Sequence, residues 1–200
     1  MPTELTTHDQ QKIPKKLSQS HTKLRPVTQI RLANPQDQPQ IIALVQTVYQ
    51  EFNFGWDPEG YHKDLYSIAH HFQPPNAFWV AEEINQIVGC IGLEVFPTLP
   101  GEPNQLTTYE DQIRIATADC ELVRLYVSSN HRRKKIGLKL CQTCIAYAQS
   151  QNCQAMEIWS DKVLHQAHKL YQSLGAKIVG ERLCPPPDED PEWGMILPLC

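Results

Sequence analysis

Apolar and polar residues follow two different periods along the chain, and together these periods predict an α/β protein. Runs rich in β-branched and aromatic residues, bounded by turn residues, are typical of strands. The predicted strands cover residues 29–33, 77–82, 86–96, 114–127, 155–159, 177–183 and 192–197. Apolar residues that recur every third or fourth position predict helices over residues 37–52, 58–72, 136–152 and 163–174. This order of elements predicts a central mixed sheet with helices on both of its faces.

Three segments lack such periodicity. Residues 1–28 are polar and rich in Gln, Lys, Thr and Ser, so we expect a disordered tail before a single domain over residues 29–200. Residues 97–110 predict a loop that is either a flap over a site or surface padding. Residues 184–191 contain four prolines and three acidic residues, which predicts a rigid acidic loop.

Charge and composition narrow the function classes. The chain has 18 Lys and Arg against 22 Asp and Glu, and this net charge of -4 argues against a general nucleic-acid binder, so we expect no DNA partner. We expect no membrane contact, because no long apolar run occurs and the first residues lack the apolar core of a signal peptide. Seven scattered cysteines, an odd number, fit reduced thiols and a cytoplasmic location. The sequence leaves a homodimer open.

Candidate chemistry is concentrated in the stretch from Glu121 to Leu140. An apolar strand there leads through the turn residues 128–130 into a basic cluster, residues 132–135, and then into a helix. A helix N-terminus presents unpaired N–H groups and the positive end of a dipole. Gly137, close to this N-terminus, lets a ligand approach the backbone. These features predict an anion site that suits phosphate.

The residues of this stretch resemble a known family. The run Leu125-Tyr126-Val127, followed by Arg132-Arg133-Lys134-Lys135-Ile136-Gly137, is similar to the acetyl-coenzyme A loop of the GNAT superfamily of N-acetyltransferases. That pattern is Arg or Gln, two residues, Gly, one residue, then Gly or Ala. Arg132 and Gly137 match its ends, whereas Lys135 replaces the first Gly and must adopt a negative φ or tolerate strain. Later segments, 159–161 and 167–176, also match in order, so the resemblance covers residues 29–199.

The resemblance implies a fold, an activity and a cosubstrate. The fold would be a mostly antiparallel sheet in which two parallel strands splay apart at the centre. The activity would be transfer of an acetyl group from acetyl-coenzyme A to a primary amine of a small molecule, an amino acid or a protein, by direct attack in a ternary complex. The pantetheine arm would pair with the backbone of Leu125 and Val127, and a backbone N–H near Val127 would stabilise the oxyanion. The implied coenzyme-binding residues are Leu125, Tyr126, Val127, Arg132, Arg133, Lys134, Lys135, Ile136, Gly137 and Leu138, with the pyrophosphate over residues 133–138.

Two residues are candidates for proton transfer. Tyr171 occupies the family's usual general-acid position, and an ordinary tyrosine pKa of about 10 keeps it protonated at neutral pH. Its helical face is otherwise apolar, so the alternative is a core tyrosine. Glu121 lies where some family members place a base carboxylate, and a period of two puts it on one strand face with Val123, Leu125 and Val127. It is either a desolvated base or a carboxylate on the sheet surface.

The resemblance also places one wall of the acceptor site in the early helical region. Phe54, Trp56, Asp57 and Tyr61 are therefore substrate-side candidates, and the alternative is that the aromatic residues pack beneath the loop. Asp57 could also cap the second predicted helix. Asp161 is expected to cap the last predicted helix rather than to line the site.

Two other function classes stay open. Lys135 in place of a glycine is compatible with a coenzyme-binding sensor that has lost catalysis. The basic run over residues 131–135 is compatible with an RNA-contacting module, although the chain as a whole is acidic. No metal is expected, because Cys141 and Cys144 lie within one predicted helix and lack a second ligand pair nearby.

Overall fold

The structure, a computed structural model, describes residues 27–199, so the predicted tail over residues 1–28 lies almost wholly outside the described residues. The strands in this part of the chain are β1 (Gln29–Leu32), β2 (Ala77–Glu83), β3 (Gln86–Val95), β4 (Leu106–Tyr109), β5 (Gln112–Ile115), β6 (Cys120–Val127), β7 (Ala155–Asp161), β8 (Lys177–Leu183) and β9 (Pro191–Pro198). The α-helices are α1 (Gln38–Phe52), α2 (Ile68–His71), α3 (Ile136–Ser150) and α4 (His165–Ser173).

One sheet of seven strands, in the order β1-β2-β3-β6-β7-β9-β8, forms the centre, and β4 pairs with β5 in a separate hairpin. Neighbours in the large sheet are antiparallel except for β6 and β7, which are parallel. The mixed, mostly antiparallel sheet that the resemblance implied is therefore confirmed. The tight turn between β2 and β3 has Ile84 and Asn85 at positive φ, as a type I′ hairpin turn requires.

The two parallel strands separate soon after they meet. β6 and β7 pair only at Cys120 with Met156 and at Glu121 with Glu157. Beyond this point β6 continues along β3, whereas β7 continues along β9. The sheet is thus split at its centre, and one backbone edge of β6 has no strand partner among the described residues.

Helices cover both faces of the sheet because each carries one apolar side. Side chains of β2 alternate between two apolar clusters: Phe78 and Val80 pack with α1, whereas Trp79 and Ala81 pack with α3 and with Tyr171 of α4. The predicted arrangement of a sheet between helices is therefore confirmed.

The predicted strand over residues 114–127 is wrong in its first half. The chain forms β5, turns at Thr117, whose φ of 68° is left-handed, and resumes as β6. Apolar periodicity could not reveal this turn, because a β-branched threonine normally favours a strand. Residues 97–110, predicted as a loop without periodicity, contain β4, and the β4–β5 hairpin carries Arg114 toward the central sheet.

The predicted helix over residues 58–72 is also wrong. The segment contains a turn after Asp57, a 3₁₀ helix at Lys63–Tyr66 and the short α2. The Asp57 carboxylate accepts hydrogen bonds from the N–H groups of Glu59, Gly60 and Tyr61 at 3.2, 2.9 and 3.3 Å. It therefore closes a tight turn instead of capping the predicted short helix.

Candidate active site

A cavity of about 530 Å³ opens where β6 and β7 separate. Strands β6, β7 and β9 and helix α4 contribute lining residues, among them Leu125, Tyr126, Trp159, Asp161 and Tyr171. Two loops that are distant in sequence also meet here, because the Gly55 N–H donates to both carboxylate oxygens of Asp188 at 2.7 and 2.9 Å. The split sheet and these two loops together line the cavity.

A β-bulge at Arg124 interrupts β6 beside the cavity. Arg124 has a left-handed φ of 57°, and the pairing register with β3 shifts at the same place. A bulge adds one residue to a strand and so reverses the alternation of side chains beyond it. The apolar residues on both sides of Arg124 suit an uninterrupted strand, which is why the sequence pattern did not reveal the reversal.

The reversal shows that the predicted strand face of Glu121 is wrong. Val123 packs with the α1 cluster, whereas Leu125 and Val127 pack with the α3 cluster. Glu121 and Val123 both precede the bulge and lie two residues apart, so their side chains point to the same face of β6. Leu125 and Val127 follow the bulge, so their side chains point to the other face. Tyr171 belongs to the α3 cluster. The two candidates for proton transfer therefore reach the cavity from opposite faces of the sheet.

The Glu121 carboxylate lies in a charged group where β6 and β7 still pair. Arg114 binds Glu121 and its strand neighbour Glu157 together, with 3.2 Å between its Nη2 and Glu121 Oε2. Glu157 also accepts the Ile115 N–H at 2.8 Å. Burial, reinforced by the charge of Glu157, raises the pKa of Glu121 to about 8, and Arg114 opposes this rise. A carboxyl group with such a pKa is mostly protonated at pH 7, and its ionised form is a stronger base than an ordinary carboxylate.

Tyr171 lines the cavity from α4 while its side chain is only 5% exposed. Burial raises the pKa of its hydroxyl well above the ordinary value, so the group stays protonated. The residue is thus part of the apolar core and also a cavity residue, and these two interpretations of the sequence do not exclude each other.

The N-terminus of α3 lies directly after the turn that leaves β6. The N–H of Lys139 donates to the Lys135 carbonyl at 3.0 Å, so the amides of residues 136–138 precede the first helical hydrogen bond and lack helical partners. Lys135 is the N-cap residue and has a left-handed φ of 64°. Of the two alternatives for this position, a negative φ and tolerated strain, the structure shows the second.

The basic side chains of this turn differ in their partners. Arg132 donates to the Val127 carbonyl at 3.0 Å and to Glu51 at 2.6 Å. Lys134 lies 4.0 Å from Glu83. Arg133 and Lys135 are exposed, and no ion pair joins either of them to another residue within 27–199. These last two side chains are available to an anion at the helix N-terminus.

The four acceptor-side candidates divide into two pairs. Asp57 and Tyr61 line the cavity. Phe54 and Trp56 do not line it and instead surround Tyr49, with ring centroids 5.5 and 5.6 Å from the Tyr49 centroid. The structure therefore brings the first pair to the site, and it places the second pair beneath the loop.

The prediction that Asp161 caps the last helix is wrong. The N-cap residue is Leu164, and Asp161 contributes only its backbone carbonyl, which accepts the Leu164 N–H at 2.9 Å. Because α4 begins later than predicted, the Asp161 side chain is left to line the cavity. Burial, followed by the charge of Glu192, raises the pKa of Asp161 to about 6.

Two arginines that the sequence did not single out also line the cavity. Arg124 pairs with Asp64, and Arg182 donates to Glu192 at 2.9 Å while its guanidinium lies 4.0 Å from the centroid of Trp159. A charged residue inside the apolar run of β6 was the available signal for Arg124. Arg182 had no such signal, because it lies on a polar edge strand.

The chain's own residues fit acetyl-coenzyme A. The unpaired β6 edge beyond Glu121 offers backbone groups to the amides of a pantetheine arm. The free amides of residues 136–138, with Arg133 and Lys135, suit a diphosphate. A Cβ on Gly137 would meet Leu170 at 3.4 Å and Val127 at 3.8 Å, which are ordinary contacts. This position therefore admits Gly or Ala, as the family pattern does.

A sheet split beside a helix N-terminus, with a cavity in the split, defines the N-acetyltransferase class of fold. The chain belongs to the acetyltransferase (GNAT) family, whose sequence model matches residues 41–176. It is similar to a GNAT-family acetyltransferase from Staphylococcus aureus Mu50, with a TM-score of 0.67 and 22% identity over 87% of this chain and 100% of that one. It is also similar to a putative acetyltransferase from Salmonella typhimurium, solved with its cofactor acetyl-CoA, with a TM-score of 0.65 and 16% identity over 86% and 94% of the two chains. Acetyl-coenzyme A is the cosubstrate of this family.

A curated relative is similar over a shorter region. The chain is 31% identical over 122 residues to the N-acetylaspartate synthetase of Danio rerio, which is 60% of this chain and 37% of that protein. The chain thus spans well under half of that relative's length. Within residues 27–199, the helices lack the combination of length and apolar composition that crossing a lipid bilayer requires.

Proposed function

We propose that this chain is an acetyl-coenzyme A-dependent N-acetyltransferase that acts on a primary amine by direct attack in a ternary complex. The observation that carries the proposal is the convergence of three features on one gap in the sheet. They are the unpaired edge of β6, the free amides of α3, and the cavity that Glu121 and Tyr171 both line. The coenzyme, when bound, supplies an acetyl thioester that an amine can attack.

The backbone around the split binds the coenzyme. Leu125 and Val127 pair with the pantetheine arm, and residues 133–138 bind the diphosphate through amides and cationic side chains. Hydrogen bonds to a charged group contribute about 1.5–3 kcal/mol each. Holding two reactants in the right orientation can lower a barrier by about 7 kcal/mol or more. Much of the catalytic effect is therefore expected from positioning.

Glu121 and Tyr171 move the protons. An amine acceptor with a pKa of about 8 to 10.4 is mostly protonated at neutral pH and must lose a proton before it attacks. Glu121, whose pKa is raised to about 8, takes this proton in its ionised form, directly or through a water molecule, so turnover should rise as the pH approaches 8. Tyr171 donates its hydroxyl proton to the departing thiolate. A backbone N–H near Val127 donates to the charge that develops on the acyl oxygen, which is worth about 3 kcal/mol.

Two measurements test the proposal. Calorimetry with acetyl-coenzyme A measures binding, and thiol release with a panel of amines measures turnover. Tyr171→Phe should lower turnover by about 100-fold or more and leave coenzyme affinity nearly unchanged, because it removes only the proton donor. Tyr147→Phe is a matched control, since Tyr147 of α3 packs on Trp79 at 5.2 Å between ring centroids and does not line the cavity.

Each contrary result has a distinct meaning. Unchanged turnover in Tyr171→Phe would reassign Tyr171 to the core alone. Coenzyme binding without thiol release for any amine would favour a sensor over an enzyme. Absence of coenzyme binding would contradict the proposal at its first step.

A further inference from the structure

Arg124 has hydrogen-bond donors left over in the cavity after its contacts within the protein are made. Its Nε and Nη2 donate to the two oxygens of Asp64 at 2.9 and 2.8 Å, and Nη2 also donates to the Tyr61 carbonyl. A guanidinium carries five N–H donors, and the two on Nη1 form no hydrogen bond of standard geometry with residues 27–199, although the hydroxyl of Tyr126, another cavity residue, lies close to the guanidinium. Arg124 lines the cavity although its side chain is only 9% exposed.

The free end of this guanidinium is held in a fixed orientation. The two-bond pair with Asp64 occupies the Nε side of the planar group, and the ring of Tyr61 lies 4.5 Å from the guanidinium carbon. A ligand that meets Nη1 would therefore not have to order a flexible side chain. A charged donor at a cavity wall is accessible to a ligand, and a carboxylate is the group that best matches a guanidinium.

We propose that Arg124 binds a carboxylate on the acceptor, so that the acceptor is an amine that also carries a carboxylate, as an amino acid does. This inference rests on the proposed N-acetyltransferase function and narrows its substrate class. It assigns Arg124 to specificity, whereas Glu121 and Tyr171 serve the reaction itself.

The other charges of the cavity suit the amine end of such a molecule. Most carboxylates that line it have partners within the protein: Asp57 accepts backbone N–H groups, Glu94 pairs with His71, Glu121 with Arg114, and Glu192 with Arg182. Asp161 forms no ion pair with residues 27–199, and the hydrogen bond that its carboxylate accepts comes from its own backbone N–H. One unpaired carboxylate and one free pair of guanidinium donors are complementary to a ligand that carries both charges.

The summed charge of the cavity, taken alone, favours a different ligand, a dication. The test must distinguish this dication from an amino acid. The lining holds five carboxylates, at Asp57, Glu94, Glu121, Asp161 and Glu192, against two arginines, Arg124 and Arg182. If these charges acted through their sum rather than through their pairing, the cavity would select a dication such as a diamine. The acceptors compared should therefore include 1,4-diaminobutane and butylamine beside the common L-amino acids.

The decisive experiment measures kcat/KM for thiol release from acetyl-coenzyme A with the unaltered protein. We expect turnover of at least one L-amino acid, with L-aspartate in the panel. Replacing the bound carboxylate of that amino acid by a carboxamide should lower kcat/KM by about 10- to 100-fold, the usual effect of a hydrogen bond between charged groups. Arg124→Gln should lower kcat/KM for the amino acid and leave kcat/KM for its carboxamide nearly unchanged. The difference between the two acceptors should therefore disappear in this variant. Arg182→Gln, which changes the cavity's other arginine, should preserve the difference.

The contrary outcomes are separable. Equal use of acid and carboxamide, or a preference for 1,4-diaminobutane, overturns the inference and leaves the proposed acetyltransferase function intact. If the difference in kcat/KM between acid and carboxamide is lost in Arg182→Gln and kept in Arg124→Gln, the assignment of carboxylate binding to Arg124 is overturned. Absence of thiol release with every amine overturns both the inference and the function on which it rests. The comparison of acid with carboxamide needs no variant, so it holds even if Arg124→Gln does not fold.

Discussion

The Arg124 guanidinium binds the Asp64 carboxylate through two hydrogen bonds, at 2.9 and 2.8 Å, between residues that lie 60 positions apart in the sequence. This pair joins the bulge of β6 to the 3₁₀ helix at Lys63–Tyr66. The left-handed backbone of Arg124 and the buried ion pair belong to one arrangement, because the bulge breaks the regular alternation where the side chain meets Asp64. The pair thereby fixes one wall of the cavity to the central sheet.

Removal of Asp64 should destabilise the protein strongly. Both side chains of the pair are 9% exposed, so Asp64→Ala would leave a buried guanidinium without its counter-charge. We expect the free energy of unfolding in urea to fall by about 3–5 kcal/mol. Glu181→Ala is the control, since Glu181 pairs with Lys162 at a site where it is 61% exposed, and its loss should cost less than about 1 kcal/mol. Equal costs for the two variants would mean that the Arg124 pair contributes no more than a surface contact.

A glycine at position 135 should relieve backbone strain. Lys135 has a φ of 64°, and a non-glycine residue in this region destabilises the native state by about 1–3 kcal/mol. A glycine removes this strain, but it also increases the entropy of the unfolded chain, which lowers stability by about 0.4–1 kcal/mol. Lys135→Gly should therefore raise the free energy of unfolding by about 1 kcal/mol. Lys134→Gly removes the same charge one residue earlier, where φ is not positive, and should lower the free energy of unfolding. Denaturant titration of both variants checks the difference, and a destabilised Lys135→Gly would show that the lysine side chain itself stabilises the turn.

Patterns that repeat over several turns or strand positions were sufficient to predict the frame of the fold. Ile136, Leu140, Cys144 and Ala148 recur every fourth position and are all buried in α3. The placement of the basic turn before this helix follows from chain order alone. These features depend on neighbours in sequence, which is why they could be predicted without the structure.

Features that depend on partners distant in sequence could not be predicted in the same way. The bulge at Arg124 depends on the register between β6 and β3, and that register decides which face Leu125 occupies. Arg114 reaches Glu121 only because the chain turns at Thr117 and pairs β5 with β4. The unpaired state of Asp161 depends on where α4 begins. The charges around the candidate site therefore come from tertiary structure rather than from a local motif.

The raised pKa of Glu121 predicts a pH-dependent stability. A carboxyl group in an unfolded chain titrates at about 4.3, whereas the pKa of Glu121 in the folded chain is about 8, so between these values the native state binds more protons than the unfolded state. Stability from this group is thus present at low pH and is lost as the pH rises toward 8. Glu121→Gln carries no titrating group, so its stability relative to the unaltered protein should increase by about 1 kcal/mol or more between pH 5 and about 8.

Urea unfolding at several pH values measures this difference for Glu121→Gln. Glu102→Gln, which makes the same chemical change at an exposed position outside the cavity, is the matched control for the substitution itself. A constant difference for Glu121→Gln would show that Glu121 is ionised throughout the range, and Glu121 would then be a weaker candidate for the base.

Substitutions of Gly137 test whether the diphosphate lies on the N-terminus of α3. Gly137→Ala adds a Cβ that meets Leu170 and Val127 at 3.4 and 3.8 Å, so coenzyme affinity should stay within a few-fold of the unaltered protein. Gly137→Trp adds a side chain too large for this space, which must turn toward the amides of residues 136–138 or displace the turn, and calorimetry with acetyl-coenzyme A should then detect no binding. Thermal unfolding of both variants is needed beside calorimetry, because a folded Gly137→Trp protein that still binds the coenzyme would move the diphosphate away from this helix. Since the unpaired edge of β6 leads directly to the same turn, that result would also remove the main reason to align the pantetheine arm with Leu125 and Val127.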